Sequence, residues 1–395
     1  MDSTGKVLVN KWAKVSDFNP LSSKQVLEYL RYKGYKIPKD RVTRKETTGK
    51  DSLLRIIKDN PMDPMLRLCL EARHLSKAIG YLDDSRIGRD GRFHPTYTFA
   101  PDTGRLASIN PNFQNQPKHG VDEELANAIR QTIVPSRGHL LVELDWKAIE
   151  AVLTGWFAGD AGFQRLSLLD SHSYLGWCIL HRREGEDVGA PPNLNDPRLG
   201  DLLAGFKKAH PKFREIAKKV NHATSYGMGP KHLSEVLECK IPEAVKLIAI
   251  KDESAPLVAE WKKTIQRQAH KEGFLENPFG YRRYFFEVYK KDQRGQWVLG
   301  GEARKALAFL PQSTAAGMLR ATLAALPGLR GYGNQWHPLI PIHDAIVLEV
   351  PQGSVREFVP SVQELMEREW AELGGLSIKV DVKVGSNWAL MKDWS

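Results

Sequence analysis

Two stretches of the sequence, LVELDW at residues 141–146 and IPIHDAIVLEV at residues 340–350, decide the fold of this chain. Asp145 stands at the end of the first apolar run, and Asp344 stands between two apolar runs in the second. Short apolar runs that are rich in Val, Ile and Leu are typical of buried β-strands. We therefore predict that each stretch forms a strand and carries one carboxylate to the edge of a sheet.

Between these stretches lies FREIAKKVNHATSYG, residues 213–227, whose pattern predicts a helix. Four of its side chains recur at four-residue steps: Arg214, Lys218, His222 and Tyr226. Residues four apart lie on one face of a helix, so the four side chains are predicted to form a slanting stripe. Its cationic end suits phosphate groups and its aromatic end suits a base and a sugar. A solvated basic face is the alternative for such a stripe taken alone.

Two carboxylates together with a basic, aromatic helix indicate the chemistry of template-directed nucleotidyl transfer. In such reactions, positioning of the reactants and neutralisation of charge supply most of the rate enhancement. Two Mg²⁺ ions about 3.5–4 Å apart can activate an attacking hydroxyl group and stabilise a leaving pyrophosphate. Because Mg²⁺ is held by one or two carboxylates plus waters and phosphates, Asp145 and Asp344 would suffice. A single aspartate considered alone is more often a helix cap or a surface charge.

A third segment, TGRLASINPNFQNQP at residues 103–117, is rich in turn residues and polar side chains. Arg105, Gln114 and Asn115 can donate hydrogen bonds to backbone phosphates or to minor-groove acceptors. Because all base pairs share those acceptors, such contacts sense the geometry of a pair and not its sequence. Ordinary loop chemistry is the alternative, and it is the interpretation we prefer for Asn112.

The composition is compatible with a polyanionic partner. The chain has 395 residues, with 57 Lys and Arg against 47 Asp and Glu, which gives a net charge of +10. Basic side chains bound along phosphates release counterions, although a general solubility charge explains the excess equally well. The three cysteines form no CxxC pair and no zinc-binding pattern, which favours a reducing compartment. No apolar run of about 18 residues is present, so we expect a cytoplasmic or an organellar protein.

The order of the patterns predicts an α+β fold in two or three subdomains. Residues 1–90 and 161–275 show mostly helical patterns, whereas strand patterns recur at 91–160 and 276–395. In the last block we predict a hairpin around KKDQRG, two helices that begin near Glu302 and Ser354, and a final strand SIKVDVKV. Two sheet-forming blocks therefore flank a helical insertion.

These motifs resemble those of the family A DNA polymerases, the bacterial DNA polymerase I type. DWKAIE at residues 145–150 resembles the first acidic motif of that family, often DYSQIE, and IHDAIVLE resembles the second, usually HDE. RxxxKxxxHxxxY resembles the motif of the fingers helix, and TGRLASINPNFQNQP is similar to TGRLSS…NLQNIP. RKALAFLPQSTAA at residues 304–316 is similar to the Rx₇QGTAA helix, and DVKVGSNW resembles the closing strand. The motifs stand in the family's order from about residue 18 onward.

The resemblance implies an α+β right hand with a shortened thumb at residues 1–90 and fingers at 161–275. Residues 91–160 and 276–395 would form the antiparallel sheet of the palm. The implied activity is DNA-directed addition of deoxynucleotides to a primer 3′-hydroxyl by a two-metal mechanism, with Mg²⁺ ions that Mn²⁺ can replace. The implied partners are primer–template DNA and dNTPs, bound by a monomer, with a separate exonuclease or replisome chain as a further partner. The implied location is the cytoplasm of a bacterium or of a phage-infected host.

Two alternative functions remain beside this one. The first is a single-subunit RNA polymerase, which shares the palm and a similar fingers helix, and Glu150 argues against it. The second is a catalytically inactive DNA-binding replication accessory protein. The presence of both aspartates together with Arg214 and Lys218 argues against the second alternative.

Carried over position by position, the resemblance gives each site residue a role. The metal ligands would be Asp145, Asp344 and the carbonyl of Trp146, with Lys218 as a further catalytic residue. The incoming nucleotide would contact residues of two helices: His172, Arg214, Lys218, His222 and Tyr226. Glu150 would also bind the nucleotide and would exclude a ribose 2′-hydroxyl group. The contacts with primer–template DNA would come from Arg105, Gln114, Asn115, Arg304, Gln312 and His343.

Departures from the family pattern carry expectations of their own. His222 stands where the family has Phe or Tyr, so its protonation would add a third cation near the triphosphate and make nucleotide affinity depend on pH. Ala345 stands where the family usually has Glu, so only two carboxylates are expected to be indispensable. About twenty residues precede the first helical pattern, and we therefore expect no 3′→5′ exonuclease activity in this chain.

Overall fold

The structure, a computed structural model, describes residues 18–40, 43–81, 87–115, 123–182 and 188–394. The chain divides into two compact units. The first comprises residues 1–94 and 119–129, and the second comprises residues 95–118 and 130–395. Within the described ranges, no helix is both long enough and apolar enough to span a membrane.

The first unit is helical, as its sequence pattern predicts. Its helices are α1 (Ser23–Tyr32), α2 (Lys50–Asp59), α3 (Pro64–Tyr81) and most of α4 (Glu123–Gln131). The Ser22 side chain caps α1 by accepting a hydrogen bond from the backbone N–H of Gln25. The core of α1, α2 and α3 consists of Val26, Leu30, Leu53, Ile56, Leu66 and Cys69.

The second unit is built on a five-stranded antiparallel sheet. Its strands, in spatial order, are β11 (Lys392–Asp393), β10 (Val380–Gly385), β3 (His139–Trp146), β9 (Ala345–Pro351) and β8 (His337–Ile342). The predicted strand LVELDW is β3. The second predicted strand is in fact two strands, because the left-handed backbone of His343 reverses the chain between β8 and β9.

The alternation of side chains along β3 determines which of them reach the core. Val142, Leu144 and Trp146 belong to the main hydrophobic core, in which α14 (Val355–Glu367) packs against β3, β9 and β10. Glu143 and Asp145 therefore point to the opposite face of the sheet. The β3 strand thus keeps the Asp145 carboxylate away from the main core.

A series of helices follows β3 in the described part of the chain. They are α5 (Ile149–Phe157), α6 (Ala161–Leu168), α7 (Ser171–His181), α8 (Leu199–Ala209), α9 (Pro211–Ser225), α10 (Pro230–Leu237), α11 (Ile241–Ser254) and α12 (Pro256–Glu272). Helices α7, α9, α10 and α11 share a buried cluster that includes Leu175, Ala217, Val220, Leu233 and Leu247. The predicted helical insertion between the two sheet-forming blocks is therefore observed.

Three small two-stranded sheets and one long helix complete the second unit. The small sheets pair β1 (Thr96–Thr98) with β2 (Ala107–Ile109), β4 (Phe274–Glu276) with β5 (Arg282–Tyr284), and β6 (Tyr289–Lys291) with β7 (Trp297–Leu299). The predicted hairpin around KKDQRG is the β6–β7 pair, and the predicted long helix is α13 (Ala303–Ala325). The α+β class and the antiparallel sheet are thus confirmed, whereas the division into thumb, palm and fingers stays a prediction.

Candidate active site

Asp145 and Asp344 are about 200 residues apart in the sequence but lie at neighbouring strand ends. Asp145 pairs with Ala345 across β3 and β9, and Asp344 is the residue before Ala345. Paired Cα atoms of antiparallel strands lie about 5 Å apart and consecutive Cα atoms about 3.8 Å apart, so the Cα atoms of the two aspartates lie within roughly 9 Å. The structure therefore brings together the two carboxylates on which the prediction from sequence depends.

Both chain reversals beside these aspartates contain a residue with left-handed backbone. His343, in the turn between β8 and β9, has a φ of 50°, and Ala148, which precedes α5, has a φ of 47°. This conformation costs a residue with a Cβ atom roughly 1–2 kcal/mol, and strained residues of this kind concentrate at functional sites. The two turns determine where each carboxylate stands at the sheet edge.

A cleft of about 600 Å³ opens beside Asp344. Five further residues that the sequence analysis selects also line it: Glu150, His172, Arg214, His222 and Tyr226. A volume of this size suits a ligand as large as a nucleotide. Asp145 is on the neighbouring strand and is not itself part of the lining.

Helix α9 carries the predicted stripe. Its buried positions are Ala217, Val220 and Thr224, which recur at three- and four-residue steps, and the basic residues occupy the other side of the helix. Lys218 and His222 are exposed, and Lys218 does not belong to the lining of the cleft. The helix ends at Ser225, so Tyr226 is its C-cap, and Gly227 follows with a φ of 75°.

The guanidinium group of Arg214 is held by a carboxylate that the sequence analysis does not select. Arg214 Nε donates to Asp170 Oδ2 at 2.8 Å, and Asp170 also accepts from the backbone N–H of Ser173 at the start of α7. Burial raises the pKa of the Asp170 carboxyl, but the hydrogen bonds from Arg214 and Ser173 outweigh it and the net pKa is lowered. Helices α7 and α9 approach closely at Gly176, where a Cβ atom would lie 3.2 Å from the Arg214 backbone nitrogen.

His172, in the first turn of α7, faces His222 of α9. Their ring centroids are 5.3 Å apart, and the side-chain amide of Asn221 is 3.1 Å from His172 Nδ1. Burial, followed by the proximity of His222, lowers the pKa of His172 to about 4. His172 is therefore neutral near pH 7, where the Asn221 amide can donate to Nδ1 and leave the ring proton on Nε2.

The Glu150 carboxylate interacts with two of the predicted DNA-contacting residues. Arg105 forms an ion pair with one carboxylate oxygen of Glu150, and Gln312 Nε2 donates to the other at 3.4 Å. Glu150 follows the strained Ala148 turn on α5, Arg105 precedes β2, and Gln312 lies in the middle of α13. Three residues from three motifs thus meet at the cleft, and Arg105 and Gln312 hold the Glu150 side chain.

The predicted DNA-contacting residues, Arg105 and Gln312 included, lie outside the lining of the cleft. Gln114 is buried, accepts from the backbone N–H of Ser108 and donates to the carbonyl of Pro341 at 2.9 Å. Asn115, Arg304 and His343 are exposed. Gln114 therefore joins the segment after β2 to strand β8, a structural role that the sequence alone did not indicate.

Two lysines beneath α9, the buried Lys251 and the half-buried Lys262, were also missed. Lys251 of α11 donates to the Thr224 hydroxyl at 2.6 Å and to the Asn221 carbonyl at 3.3 Å, and Lys262 of α12 donates to the Thr224 carbonyl at 3.2 Å. Burial lowers the pKa of both lysines. A sequence signal existed for Lys251, because it falls on the buried stripe that Ala244 and Leu247 begin.

The residues at the strand ends fit a magnesium site. Carboxylate oxygens are the ligands that Mg²⁺ prefers, and Mg²⁺ keeps waters and substrate phosphates as its other ligands. Asp145 and Asp344 supply two such carboxylates, and Trp146, whose carbonyl is the predicted third ligand, directly follows Asp145. Within the described ranges, no group of three or more His, Cys, Asp or Glu side chains is arranged to hold a metal ion.

Comparisons with known proteins identify the family of this chain. The profile of DNA polymerase family A matches residues 5–176 and 200–390. The thermostable DNA polymerase I of Thermus filiformis is 32% identical over 361 residues, which cover 88% of this chain and 39% of that protein. A thermostable DNA polymerase I of Thermus thermophilus is 28% identical over 389 residues, which cover 94% of this chain and 42% of that protein.

A solved structure shares the fold. The POL domain of Pol1 from M. smegmatis, in complex with DNA primer-template and dNTP, superposes with a TM-score of 0.73 at 23% sequence identity. The match covers 94% of this chain and 61% of that domain chain, and it confirms the predicted polymerase fold. This chain spans about two fifths of the length of the Thermus relatives. Because the family profile matches most of the sequence, the chain belongs to DNA polymerase family A.

Proposed function

We propose that this chain is a DNA-directed DNA polymerase that adds deoxynucleotides to a primer 3′-hydroxyl and releases pyrophosphate. The observation that carries the proposal is one cleft whose lining combines carboxylate side chains with cationic and aromatic side chains. Asp344, beside the strand of Asp145, contributes carboxylate to the cleft, and Arg214, His222 and Tyr226 of the α9 segment contribute cationic and aromatic groups. Family membership supports DNA synthesis over the RNA polymerase alternative.

The residues at the sheet edge would hold divalent metal ions. Asp145 and Asp344 would bind two Mg²⁺ ions, with the Trp146 carbonyl as a further ligand. Bound ions of this kind neutralise the charge that develops on phosphate oxygens and lower the pKa of an attacking hydroxyl group. The strained turns at Ala148 and His343 support a site in which both carboxylates are fixed before the substrates bind.

The α9 segment would bind the incoming nucleotide. Arg214 and Lys218 would contact the triphosphate, because guanidinium and ammonium groups form strong, charge-assisted hydrogen bonds with phosphates. His222 and Tyr226, the next two members of the stripe, would contact the base and the sugar. Asp170 would orient the Arg214 guanidinium, and the neutral His172 ring would offer a hydrogen bond without an additional charge.

Glu150 would select the sugar of the nucleotide. Arg105 and Gln312 hold the two carboxylate oxygens of Glu150, so that the side chain has little freedom to move aside for an additional hydroxyl group. Primer–template DNA would extend from this point over Arg304, Asn115 and His343, which are exposed. Closure of the α9 segment over the nucleotide would then precede chemistry, as in other enzymes with mobile lids.

A primer-extension assay tests the proposal. A labelled primer on a longer template should be extended by pure protein with dNTPs and Mg²⁺ or Mn²⁺, and EDTA should abolish extension. Absence of extension with either metal, or extension in EDTA, would contradict the proposal. The expectation that the chain has no 3′→5′ exonuclease activity is tested beside it, because release of nucleotide from a mismatched, 3′-labelled primer would overturn it.

A further inference from the structure

The β6–β7 hairpin exposes aromatic and apolar side chains that the cleft does not use. The exposed fractions are 60% for Trp297, 55% for Leu299 and 91% for Phe286, which immediately precedes the hairpin segment. Trp297 pairs with Lys291 across the hairpin, so their side chains share one face. His270 of α12 contacts that face, with its ring 5.4 Å from the Trp297 ring, yet most of the indole remains open to solvent.

The hairpin also carries an excess of positive charge. Residues 282–305 include seven Lys and Arg but only three Asp and Glu. All three acidic side chains accept backbone hydrogen bonds: Asp292 from Arg294 and Gln296 in the turn, Glu302 from Phe286 and Glu287 at the base, and Glu287 from Gly301. The side chains of Lys291 and Arg294, by contrast, are exposed, and the Lys291 ammonium group lies 5.5 Å from the centre of the Trp297 ring.

The base of the hairpin is fixed to helix α13. The backbone N–H of Gly300 donates to the Val288 carbonyl at 2.8 Å, and that of Glu302 donates to the Glu287 carbonyl at 3.1 Å. A Cβ atom at Gly300 would lie 2.1 Å from the Glu287 carbonyl oxygen, so this close approach requires glycine. Leu307 of α13 lines the cleft, only about 7.5 Å along the helix axis from Glu302. The exposed surface is therefore held at a fixed position close to the cleft.

We propose that Trp297, Lys291 and Arg294 form a second nucleic-acid contact, which binds the unpaired template strand outside the cleft. This inference rests on the proposed function, and it identifies the unpaired template strand as the nucleic-acid segment that the hairpin surface binds. An unpaired strand offers base faces for Trp297 and phosphates for the two cations, a combination typical of single-strand binding sites. Duplex DNA keeps its base faces stacked and offers them to no side chain, so an exposed indole would be of little use to a duplex.

Fluorescence anisotropy with a labelled oligo(dT) of about 16 nucleotides, near 0.1 M salt, tests the proposal. Trp297→Ala should weaken oligo(dT) binding roughly 5- to 50-fold, because base–aromatic stacking contributes substantially to single-strand binding. Trp297→Phe, which keeps an aromatic ring, should restore most of the affinity. Leu299→Ala is the matched control, since Leu299 is similarly exposed on the same face, and it should change the affinity less than about twofold.

A duplex of the same length and a salt titration complete the experiment. Trp297→Ala should leave duplex affinity within about twofold of the wild-type value. The double substitution Lys291→Ala and Arg294→Ala should reduce the salt slope for oligo(dT) by roughly 1.4, the value for two phosphate contacts on a single strand. On primer–template DNA, Trp297→Ala should lower affinity for a long 5′ template overhang and not for a short one.

Three outcomes would overturn the inference: unchanged oligo(dT) affinity in Trp297→Ala, an equal loss in Leu299→Ala, or an equal loss on duplex DNA. An equal loss in Leu299→Ala would indicate a general apolar surface, such as one that docks another protein. The binding assay needs no catalysis. Failure of wild-type protein to extend a primer would therefore refute the proposed function, whereas the oligo(dT) data would still decide the role of Trp297.

Discussion

Arg214 of α9 donates from Nε to a carboxylate oxygen of Asp170, the N-cap of α7, so two adjacent helices are joined by an ion pair at the wall of the cleft. Both side chains are about four-fifths buried. Nucleotide phosphates that approach Arg214 would therefore meet a guanidinium group that is already oriented and partly neutralised.

Asp170→Asn should destabilise the protein near pH 7 by about 1–2 kcal/mol, because it removes a charge-assisted hydrogen bond but keeps an N-cap oxygen. The folded-state pKa of Asp170 is lowered, so its contribution to stability is present above the ordinary aspartate pKa and is lost as pH falls through the lowered value. Urea unfolding of both proteins near pH 7 and near pH 3 checks this. A difference that stays constant with pH would contradict it.

Asp145→Asn and Asp344→Asn should each lower turnover by roughly 10³-fold or more while primer–template affinity changes only a few-fold. Asp381→Asn is the matched control, because Asp381 pairs with Asp145 on β10 and forms an ion pair with Lys147. Its turnover should stay within about threefold of the wild-type value. Single-turnover extension and DNA-binding measurements separate the two effects. Near-normal turnover in either site variant would show that the substituted aspartate is not a metal ligand of the proposed site.

Glu150→Ala should reduce the preference for dNTPs over ribonucleotides roughly 10- to 100-fold, since the side chain that excludes the additional hydroxyl group is gone. Arg105→Ala and Gln312→Ala should cause smaller losses of the same preference, because each removes one of the two groups that hold Glu150. The ratio of kcat/KM for the two nucleotide types provides the measurement. Unchanged selectivity in Glu150→Ala would show that another group discriminates between deoxyribose and ribose.

The sequence predicts that protonated His222 adds a cation near the triphosphate, so nucleotide affinity should increase as pH falls from neutral toward about pH 5. His222→Phe should abolish this dependence of the dNTP KM on pH. His172→Gln should retain it, because the pKa of His172 is lowered to about 4 and its ring stays neutral in this range. The hypothesis fails if His222→Phe follows the same pH profile as the wild-type protein.

Lys251→Met should change how stability depends on alkaline pH. The folded-state pKa of Lys251 lies well below its ordinary value, so the unfolded chain binds the extra proton between the lowered pKa and about 10.5. The free energy of unfolding of the wild-type protein should therefore rise with pH in that interval relative to Lys251→Met. Unfolding measurements from neutral pH to about pH 10 on both proteins decide this. Parallel curves would mean that Lys251 keeps its proton throughout.

Local patterns were sufficient to predict most of the elements. The apolar run before Asp145 predicted β3, the four-residue steps from Arg214 predicted α9, and the turn residues of KKDQRG predicted the β6–β7 hairpin. These features depend on neighbours in the sequence, because periodicity decides whether a segment is helix or strand. The pairing of Asp145 with Ala345 is non-local, and no local pattern specifies this register.

Contacts made through tertiary packing could not be predicted from the sequence. Asp170 precedes a helix and satisfies the N-cap rule, but nothing in the sequence indicates that Arg214 lies beside it. Gln114 was expected to face DNA and is instead bonded to the backbone of β8. The hydrogen bonds from Lys251 to α9 likewise depend on how α11 packs against α9. A polar residue's partner is set by distant segments, whereas its place in a helix or strand is set by local sequence.

Strand β3 is inserted between β9 and β10, both of which come from much later in the chain. During translation, LVELDW leaves the ribosome with two open edges and an apolar face, and its neighbours are supplied only when synthesis has passed Gly385. Exposed strand edges of this kind promote aggregation. Strand β3 remains unpaired until synthesis has passed Pro351, when β9 can bring Asp344 beside Asp145.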